Sequence, residues 1–277
     1  MSYTLAYSPC PNDTYVFAAL TNGLLGDTAP RVDVHLADIE ELNESAAVGR
    51  YELTKVSYGA IPGLMKDYRI LRAGGALGRG CGPLLLSRPG VGTLFMDFAD
   101  KRIAIPGERT TAYMLLQLAF GRRPNVVKMR FDKIVDAVAN GEVDAGVIIH
   151  ESRFTYREKN LLSIADLGEW WETHTLLPLP LGAILVRNDV DDERARELDD
   201  AIRRSLAFAR ANEEAIMPYV REHAFEMSDE VMRAHIALYV NAFTEDVGRE
   251  GIEAVRALFA RAHEDGIIPE ATEPRFV

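Results

Sequence analysis

The sequence has 277 residues, of which 48% are hydrophobic and 26% charged, and this composition is typical of a folded protein rather than a disordered or disulfide-stabilised chain. A single hydrophobic core stops growing at about 250–300 residues, so two lobes are expected. The 31 basic and 42 acidic residues give a net charge of −11, which argues against a general nucleic-acid-binding protein. A small anionic ligand would have to be held by local donors such as helix N-termini.

The first residues show neither the basic segment nor the apolar segment of a secretory signal, and no stretch is long and apolar enough for a membrane span. The two cysteines, Cys10 and Cys81, fit free thiols in a reducing compartment. We therefore expect a cytoplasmic protein without a membrane partner.

Short apolar runs alternate with segments of helical periodicity through the first two thirds of the chain, a pattern typical of an α/β fold with parallel sheets and crossover helices. The predicted strands are 4–7, 32–36, 53–57, 70–73, 83–86, 102–105, 126–131, 145–149, 161–164 and 181–186. The predicted helices are 12–20, 110–120, 132–139, 192–210, one capped by Ser228 and one over 248–263, and Pro218 should start or kink another.

Two of the predicted strands are apolar on both faces, and each follows glycine or proline: Pro83-Leu-Leu-Leu-Ser and Leu181-Gly-Ala-Ile-Leu-Val. We predict that they are hinge strands. Residues 92–186 then form an inserted second lobe, and residues 1–91 with 187–277 form the first. A ligand would lie in the cleft between the lobes, where strand ends and helix N-termini converge.

The glycine run 74–82 does not have the features of a phosphate-binding loop. Pro83 and a strand follow it, whereas a dinucleotide loop precedes a helix, and no Gly-Lys-Ser/Thr ending is present. We interpret the run as flexible backbone that leads into the hinge. The chain also lacks His-Glu-x-x-His, Cys-x-x-Cys and calcium-loop spacings, so no metal site is predicted.

Hydrogen-bond donors gather at the start of one predicted helix. Strand 103–105, a glycine turn and a helix that opens with Thr110 and Thr111 bring free amides and two hydroxyls together, which suits a carboxylate. The alternative is that one threonine is only an N-cap. At the end of strand 53–57, Lys55 and Ser57 point to one face and Val56 to the other.

His150 ends the apolar strand 145–149, which places an imidazole at the carboxyl edge of a sheet, where α/β ligand clefts lie. Its ordinary pKa of about 6.5 leaves a neutral fraction that can accept a proton. Cys10 as a nucleophile with His150 as its base is a less favoured alternative to a packed thiol. The other five histidines, His235 included, are predicted to be structural.

Six motifs in register over nearly the whole chain resemble one family. They are Ser8-Pro-Cys-Pro-Asn-Asp-Thr14, Thr54-Lys-Val-Ser-Tyr58, Gly74-Gly-Ala-Leu-Gly-Arg-Gly80, Thr110-Thr-Ala-Tyr113, Ile149-His-Glu-Ser-Arg-Phe-Thr-Tyr156 and Leu179-Pro-Leu-Gly182. Together they resemble the MqnD family, the 1,4-dihydroxy-6-naphthoate synthases of the futalosine route to menaquinone. The motif around His150 also separates the chain from the sibling chorismate dehydratases.

The resemblance implies an α/β, two-lobed fold of the periplasmic-binding-protein type (type II) with two hinge strands. It implies a cofactor-free lyase that converts cyclic dehypoxanthine futalosine, a small-molecule carboxylate bound in the cleft between the lobes, to 1,4-dihydroxy-6-naphthoate. His150 would be the proton acceptor. Lys55, Val56 and Ser57 would lie along the substrate, and Thr110 and Thr111 would hold it from the other lobe. Val56 stands where relatives are expected to have leucine, and its main chain can still make the contact.

Two other functions stay open at this stage: the sibling dehydratase activity, and a non-catalytic small-molecule-binding protein of the same fold. The sequence assigns no oligomeric state and no roles to Arg79, Arg109 and Arg153, which we interpret as surface or loop-ordering residues.

Overall fold

The computed structural model describes residues 2–121, 123–150, 152–224 and 228–277, which form eleven strands and eleven α-helices. The strands are β1 (Ser2–Tyr7), β2 (Arg31–Leu36), β3 (Leu53–Ser57), β4 (Tyr68–Ile70), β5 (Ala76–Gly78), β6 (Leu84–Ser87), β7 (Ile103–Ile105), β8 (Val126–Lys128), β9 (Ala145–Ile148), β10 (Leu162–Asp166) and β11 (Leu179–Arg187). The helices are α1 (Pro11–Thr21), α2 (Ile39–Ala47), α3 (Thr111–Phe120), α4 (Phe131–Asn140), α5 (Ser152–Thr155), α6 (Leu167–Thr175), α7 (Asp192–Ala211), α8 (Glu213–His223), α9 (Asp229–Tyr239), α10 (Ala242–Glu245) and α11 (Gly248–Glu264).

The strands form two separate sheets. The first has the order β2-β1-β3-β11-β4, with β5 also paired to β11, and the second has the order β10-β6-β9-β7-β8. In each sheet a parallel group, β1 with β2 and β3 or β7 with β8 and β9, is joined by an antiparallel strand, β11 or β6. The sheets are therefore mixed, not purely parallel, because β6 and β11 run against their neighbours.

The chain changes sheet twice, between β5 and β6 and between β10 and β11. The strands predicted as hinges are β6 and β11, and each pairs within a single sheet among the described strands. Strand β6 therefore belongs to the same sheet as the strands of segment 92–186 other than β11, and β11 belongs to the same sheet as strands of segment 1–91. The predicted lobe boundaries, after 91 and after 186, stay a prediction.

Helix α1 is buried along nearly its whole length, from Pro11 to Leu20. It packs against the three helices α7, α8 and α9 and against β2, so the first lobe holds it from several sides. Helix α7 buries one stripe of side chains, with Leu198, Ile202, Leu206 and Ala209 on its inner face. The consequence for the site is a rigid α1 N-terminus directly after β1.

Four local expectations are corrected by the structure. Strand β8 stops at Lys128, because Arg130 takes the N-cap position and Phe131 begins α4. Strand β4 covers Tyr68–Ile70 rather than 70–73, and the glycine run contains the unpredicted strand β5. Pro218 lies inside α8 and so does not start it, while the other predicted role, a kink in the helix, stays a prediction. None of the helices in the described part of the chain is long and apolar enough to cross a membrane.

Candidate active site

A cavity lies between the two sheets, where strand ends from both meet the first turns of α1 and α3. It is lined by Ser8, Asn12, Asp13, Ile39, Lys55, Ser57, Ala76, Cys81, Pro83, Thr110, Thr111, Ala112, Ile149, His150, Leu181, Gly182, His235 and Tyr239. Five of the six residues predicted for the site are in this lining: Lys55, Ser57, Thr110, Thr111 and His150. The sequence pattern therefore found residues from both sides of one cavity.

On the side of the first sheet, the cavity wall contains a buried ion pair. Lys55 Nζ lies 2.6 Å from Asp13 Oδ1, and the two side chains are 5% and 3% exposed. Lys55 also donates to the carbonyl of Gly74, while Ser8 Oγ and Asn12 Nδ2 donate to the Asp13 carboxylate. Such additional hydrogen bonds offset part of the free-energy cost of taking a charge pair out of water. The turn Ser8-Pro-Cys-Pro supplies it by placing Asn12 and Asp13 in the first turn of α1.

Ser57 is fixed by a neighbouring amide. Asn43 Oδ1 accepts from the amide of Ser57 at 2.8 Å, and Asn43 Nδ2 donates to Ser57 Oγ at 3.2 Å. Because β-strand side chains alternate, Val56 points away from the cavity into the hydrophobic core. The structure thus does not bring the Val56 side chain to the site.

Thr110 and Thr111 both use their hydroxyls within the protein. Thr110 is the N-cap of α3, and its Oγ1 accepts from the amide of Tyr113 and donates to the carbonyl of Gly107. Thr111 Oγ1 donates to the carbonyl of Leu181 at 2.8 Å and accepts from the amide of Gly59 at 3.1 Å, so it ties α3 to the first sheet. The N-cap alternative is confirmed for Thr110.

The backbone at the start of α3 keeps its binding capacity. The first amides of a helix have no carbonyl partner within the helix, and Thr110 Oγ1 satisfies only the amide of Tyr113. The amides of Thr111 and Ala112 therefore remain at the cavity wall, where the positive end of the helix favours an anion.

His150 follows β9 and has a left-handed backbone, with φ at 59°. Its ring packs edge-on against Phe131 at 5.1 Å between centroids, and its Nδ1 lies 3.5 Å from Cys10 Sγ. Burial lowers the pKa of His150 below its ordinary value, although the carboxylates of Asp38 and Asp13 act in the opposite direction. The imidazole is thus mainly neutral at pH 7 and able to accept a proton.

The two thiols have different positions. Cys10 is buried beside His150, at the N-cap of α1, and Cys81 lines the cavity. Burial raises the pKa of Cys81 to about 12, so its thiol stays protonated near neutral pH.

Two residues of the lining were missed by sequence reasoning as functional residues. Asp13 stands in a motif that was recognised, but its partner Lys55 is distant in the chain. His235 lies on α9, is completely buried and has neither ring nitrogen hydrogen-bonded among the described residues. Its ring stands 6.4 Å from that of His150, between centroids. No short-range sequence signal connects these two histidines.

The arginines with unassigned roles lie outside the lining. Arg153 donates to the carbonyl of Gly82 and to Asp166, and Arg79 donates to Glu250 and to the carbonyl of Leu176. The amide of Arg109 donates to Glu40 of α2. Arg153 and Arg79 thus order loops, as expected. Within the described ranges no group of three or more His, Cys, Asp or Glu is placed to hold a metal ion.

Two sheets flanked by helices, with a cavity between them, define a two-lobed protein of the periplasmic-binding-protein type. The fold is similar to that of the alkanesulfonate-binding protein from Xanthomonas axonopodis pv. citri bound to MOPS, with a TM-score of 0.74 at 15% identity over 98% of this chain and 96% of that chain. A solved structure from Archaeoglobus fulgidus matches with a TM-score of 0.89 at 35% identity, over 96% of this chain and 98% of that chain.

The particular family follows from sequence. A family profile described as "Menaquinone biosynthesis" matches residues 3–264. The 1,4-dihydroxy-6-naphthoate synthase of Thermus thermophilus is 50% identical over 274 residues, 99% of this chain and 98% of the relative. The enzyme of the same name from Streptomyces coelicolor is 46% identical over 270 residues, 96% of this chain and 94% of the relative. The chain belongs to the 1,4-dihydroxy-6-naphthoate synthase family of menaquinone biosynthesis, which confirms the resemblance drawn from the six motifs.

Proposed function

We propose that this chain is a carbon–carbon lyase that converts cyclic dehypoxanthine futalosine to 1,4-dihydroxy-6-naphthoate. The observation that carries the proposal is the position of His150, a mainly neutral imidazole at the end of β9 in the wall of the cavity between the sheets. Membership of the synthase family supports the choice of product. A cofactor has no part in the proposed reaction.

The carboxylate of the substrate binds at the start of α3 in this proposal. The amides of Thr111 and Ala112 and the positive helix end neutralise it, which needs no net positive surface. The hydroxyls of Thr110 and Thr111 hold those amides in place through their own hydrogen bonds. Their role in binding is therefore indirect.

The opposite wall positions the ring system of the substrate. Lys55 and Ser57 face the cavity, and each is fixed by a buried partner, Asp13 or Asn43. Val56 is outside the cavity lining and its side chain belongs to the core, so in this proposal any contact that it makes with the substrate is through its main chain.

The proposed chemistry begins with His150 as general base. The imidazole of His150 takes a carbon-bound proton, and the electron pair left on that carbon forms a double bond in the ring system. The carbon–carbon bond to the sugar-derived fragment breaks with its electron pair going to the fragment, which takes the proton back from the imidazolium. The gain of an aromatic naphthalenediol drives the cleavage. Closure of the two lobes around the substrate excludes water from these steps.

A cytoplasmic location belongs to the same proposal. Its support is that the sequence holds only two cysteines, Cys10 and Cys81, and that both are buried thiols, as suits a reducing compartment.

The test is incubation of the purified protein with cyclic dehypoxanthine futalosine and no added cofactor, with the naphthoate followed by absorbance and mass. The wild type should form product. His150→Ala should lose at least about a hundredfold in kcat, the contribution expected of a general base, while it still binds the substrate.

Three other outcomes would each contradict a part of the proposal. Near-normal turnover by His150→Ala would remove the assigned role of His150. Binding of the substrate without turnover by the wild type would favour a binding protein. Dehydration of chorismate in place of naphthoate formation would favour the sibling activity.

A further inference from the structure

His235 is the least satisfied polar side chain in the cavity wall. It lies in α9, which begins after the Ser228 cap and packs against α1 and β5. The side chain is 0% exposed, yet neither Nδ1 nor Nε2 has a hydrogen-bond partner among the described residues. Buried polar groups are almost always paired, so an unpaired imidazole facing a cavity marks a place where a ligand supplies the partner.

The surroundings decide what kind of ligand group fits. The Tyr239 ring packs at 4.6 Å and the Phe154 ring at 6.5 Å from the His235 ring, so the walls around it are aromatic. Burial lowers the pKa of His235 to about 3. The ring is therefore neutral, with one N–H donor and one acceptor nitrogen. That pair matches uncharged hydroxyl groups, which both donate and accept, better than it matches a carboxylate.

His235 and His150 stand on different lobes and face the same space. Their ring centroids are 6.4 Å apart with the planes at 30°, and no hydrogen bond joins them. A substrate group held by His235 is consequently placed next to the proposed base, while the carboxylate is held by α3.

We propose that His235 binds the hydroxyl groups of the sugar-derived part of the substrate and thereby positions the reacting carbon beside His150. This inference rests on the proposed function and adds a specificity determinant to it. Because the sugar-derived part is lost in the reaction, contacts to His235 distinguish the substrate from the product.

The test compares three variants in the non-reacting His150→Ala background. His235→Leu removes both polar nitrogens, His235→Gln keeps one donor and one acceptor, and Met232→Leu changes a buried residue of the same helix that is outside the cavity lining. Dissociation constants are measured by calorimetry for cyclic dehypoxanthine futalosine and for 1,4-dihydroxy-6-naphthoate.

We expect His235→Leu to weaken substrate binding about ten- to a hundredfold and product binding less than about twofold. His235→Gln should restore most of the substrate affinity, and Met232→Leu should change neither constant. The Tm of His235→Leu without ligand should equal or exceed that of its parent, because an unpaired buried imidazole is removed.

Unchanged substrate affinity in His235→Leu would overturn the inference, and so would an equal loss for substrate and product. If His235→Leu fails to fold, His235→Phe takes its place, since it also lacks both nitrogens. Failure of the wild type to form naphthoate would contradict the proposed function and not this inference. The turnover assay measures it separately from the dissociation constants.

Discussion

Asp13 and Lys55 place a full pair of charges inside the cavity wall, where water cannot screen them. Removing one partner of such a pair leaves the other charge buried without compensation, and that is more costly than removing both. Asp13 keeps hydrogen bonds from Ser8 and Asn12 in that case, but these are neutral donors.

Lys55→Met should therefore lower the free energy of unfolding by about 3–5 kcal/mol. Urea denaturation at pH 7 measures this change in the free energy of unfolding. The double variant Lys55→Met/Asp13→Asn should recover a large part of the loss, since no lone charge remains. A single variant as stable as the wild type would contradict the contribution assigned to the pair.

The buried imidazole of His235 predicts a pH dependence of stability. Its pKa is about 3 in the folded protein against 6.5 for a free side chain. Between these values the unfolded chain binds a proton that the folded chain does not, so stability is complete above pH 6.5 and falls as the pH falls towards 3.

In His235→Leu and in His235→Gln, the unfolding free energy should change less steeply between pH 6.5 and 4 than in the wild type. The difference in slope should correspond to the uptake of about one proton on unfolding. Unfolding free energies from denaturant titrations at several pH values give the slope. An unchanged slope in both variants would show that His235 is protonated in the folded protein.

Among single residues, the sequence analysis identified candidate site residues that stand at the ends of strands and helices. It missed pairs of residues that only the tertiary structure brings together. His150 was predictable because it ends an apolar strand. His235 was not, because α9 carries it with no chemical neighbour nearby in sequence. The hydroxyls of Thr110 and Thr111 were predicted as ligand donors, whereas their bonds to Gly107 and Leu181 depend on a fold that spacing does not encode.

Helix α3 meets the first sheet through a close contact at Gly59, two residues beyond β3. A Cβ at Gly59 would stand 2.8 Å from the carbonyl carbon and oxygen of Thr110, and backbone cannot move aside as a side chain can. Absence of a Cβ there lets the N-terminus of α3 seat against the first sheet, with Thr111 bonded to the Gly59 amide.

Gly59→Ala should push the start of α3 away from the opposite wall. Overpacking of this kind costs about 1–3 kcal/mol, which corresponds to about a 5- to 150-fold loss of substrate affinity when it opposes closure of the lobes around the substrate. Calorimetry in the His150→Ala background measures the affinity. Gly63→Ala is the matched control, since a Cβ added at Gly63 would meet nothing within 4 Å. Equal affinities for both variants would contradict this expectation.

The observed boundaries of helices and strands agree with the sequence prediction where a capping residue or a glycine marks them. The caps at Ser228 and Thr110 fixed the starts of α9 and α3. Strand β5 escaped prediction because its three residues lie within a glycine run, and pairing with β11 is what makes them a strand.

Charge acts at the scale of the whole molecule. The net charge is −11, and the charged side chains among the cavity-lining residues, Asp13 and Lys55, cancel each other. An anionic substrate therefore approaches against a repulsive field and is attracted only at short range by the helix amides.

Raising the ionic strength from about 0.01 M to about 0.15 M shortens the screening length from about 30 Å to about 8 Å. We expect kcat/KM to rise by about twofold or more over this range, as initial rates at low substrate concentration would show. The methyl ester of the substrate carboxylate is the control and should show a weaker dependence. A fall in kcat/KM would indicate that a cationic side chain attracts the substrate.

The two-lobed arrangement was predictable because chain length, the alternation of strand and helix patterns, and the helical carboxy-terminal third all indicate it. Sheet membership was not, since the pairing of β6 with β9 and of β11 with β3 joins segments far apart in the chain.

Because the backbone at His150 is left-handed, stability and the proposed catalytic role favour different residues at this position. A side chain with φ at 59° carries about 1 kcal/mol of strain, from which glycine is exempt. A library of all residues at position 150, ranked by thermal stability alone, should thus place Gly above His. Ranked by turnover, it should place His first. Evolution of a heat-resistant form that does not also select for activity would discard the proposed base.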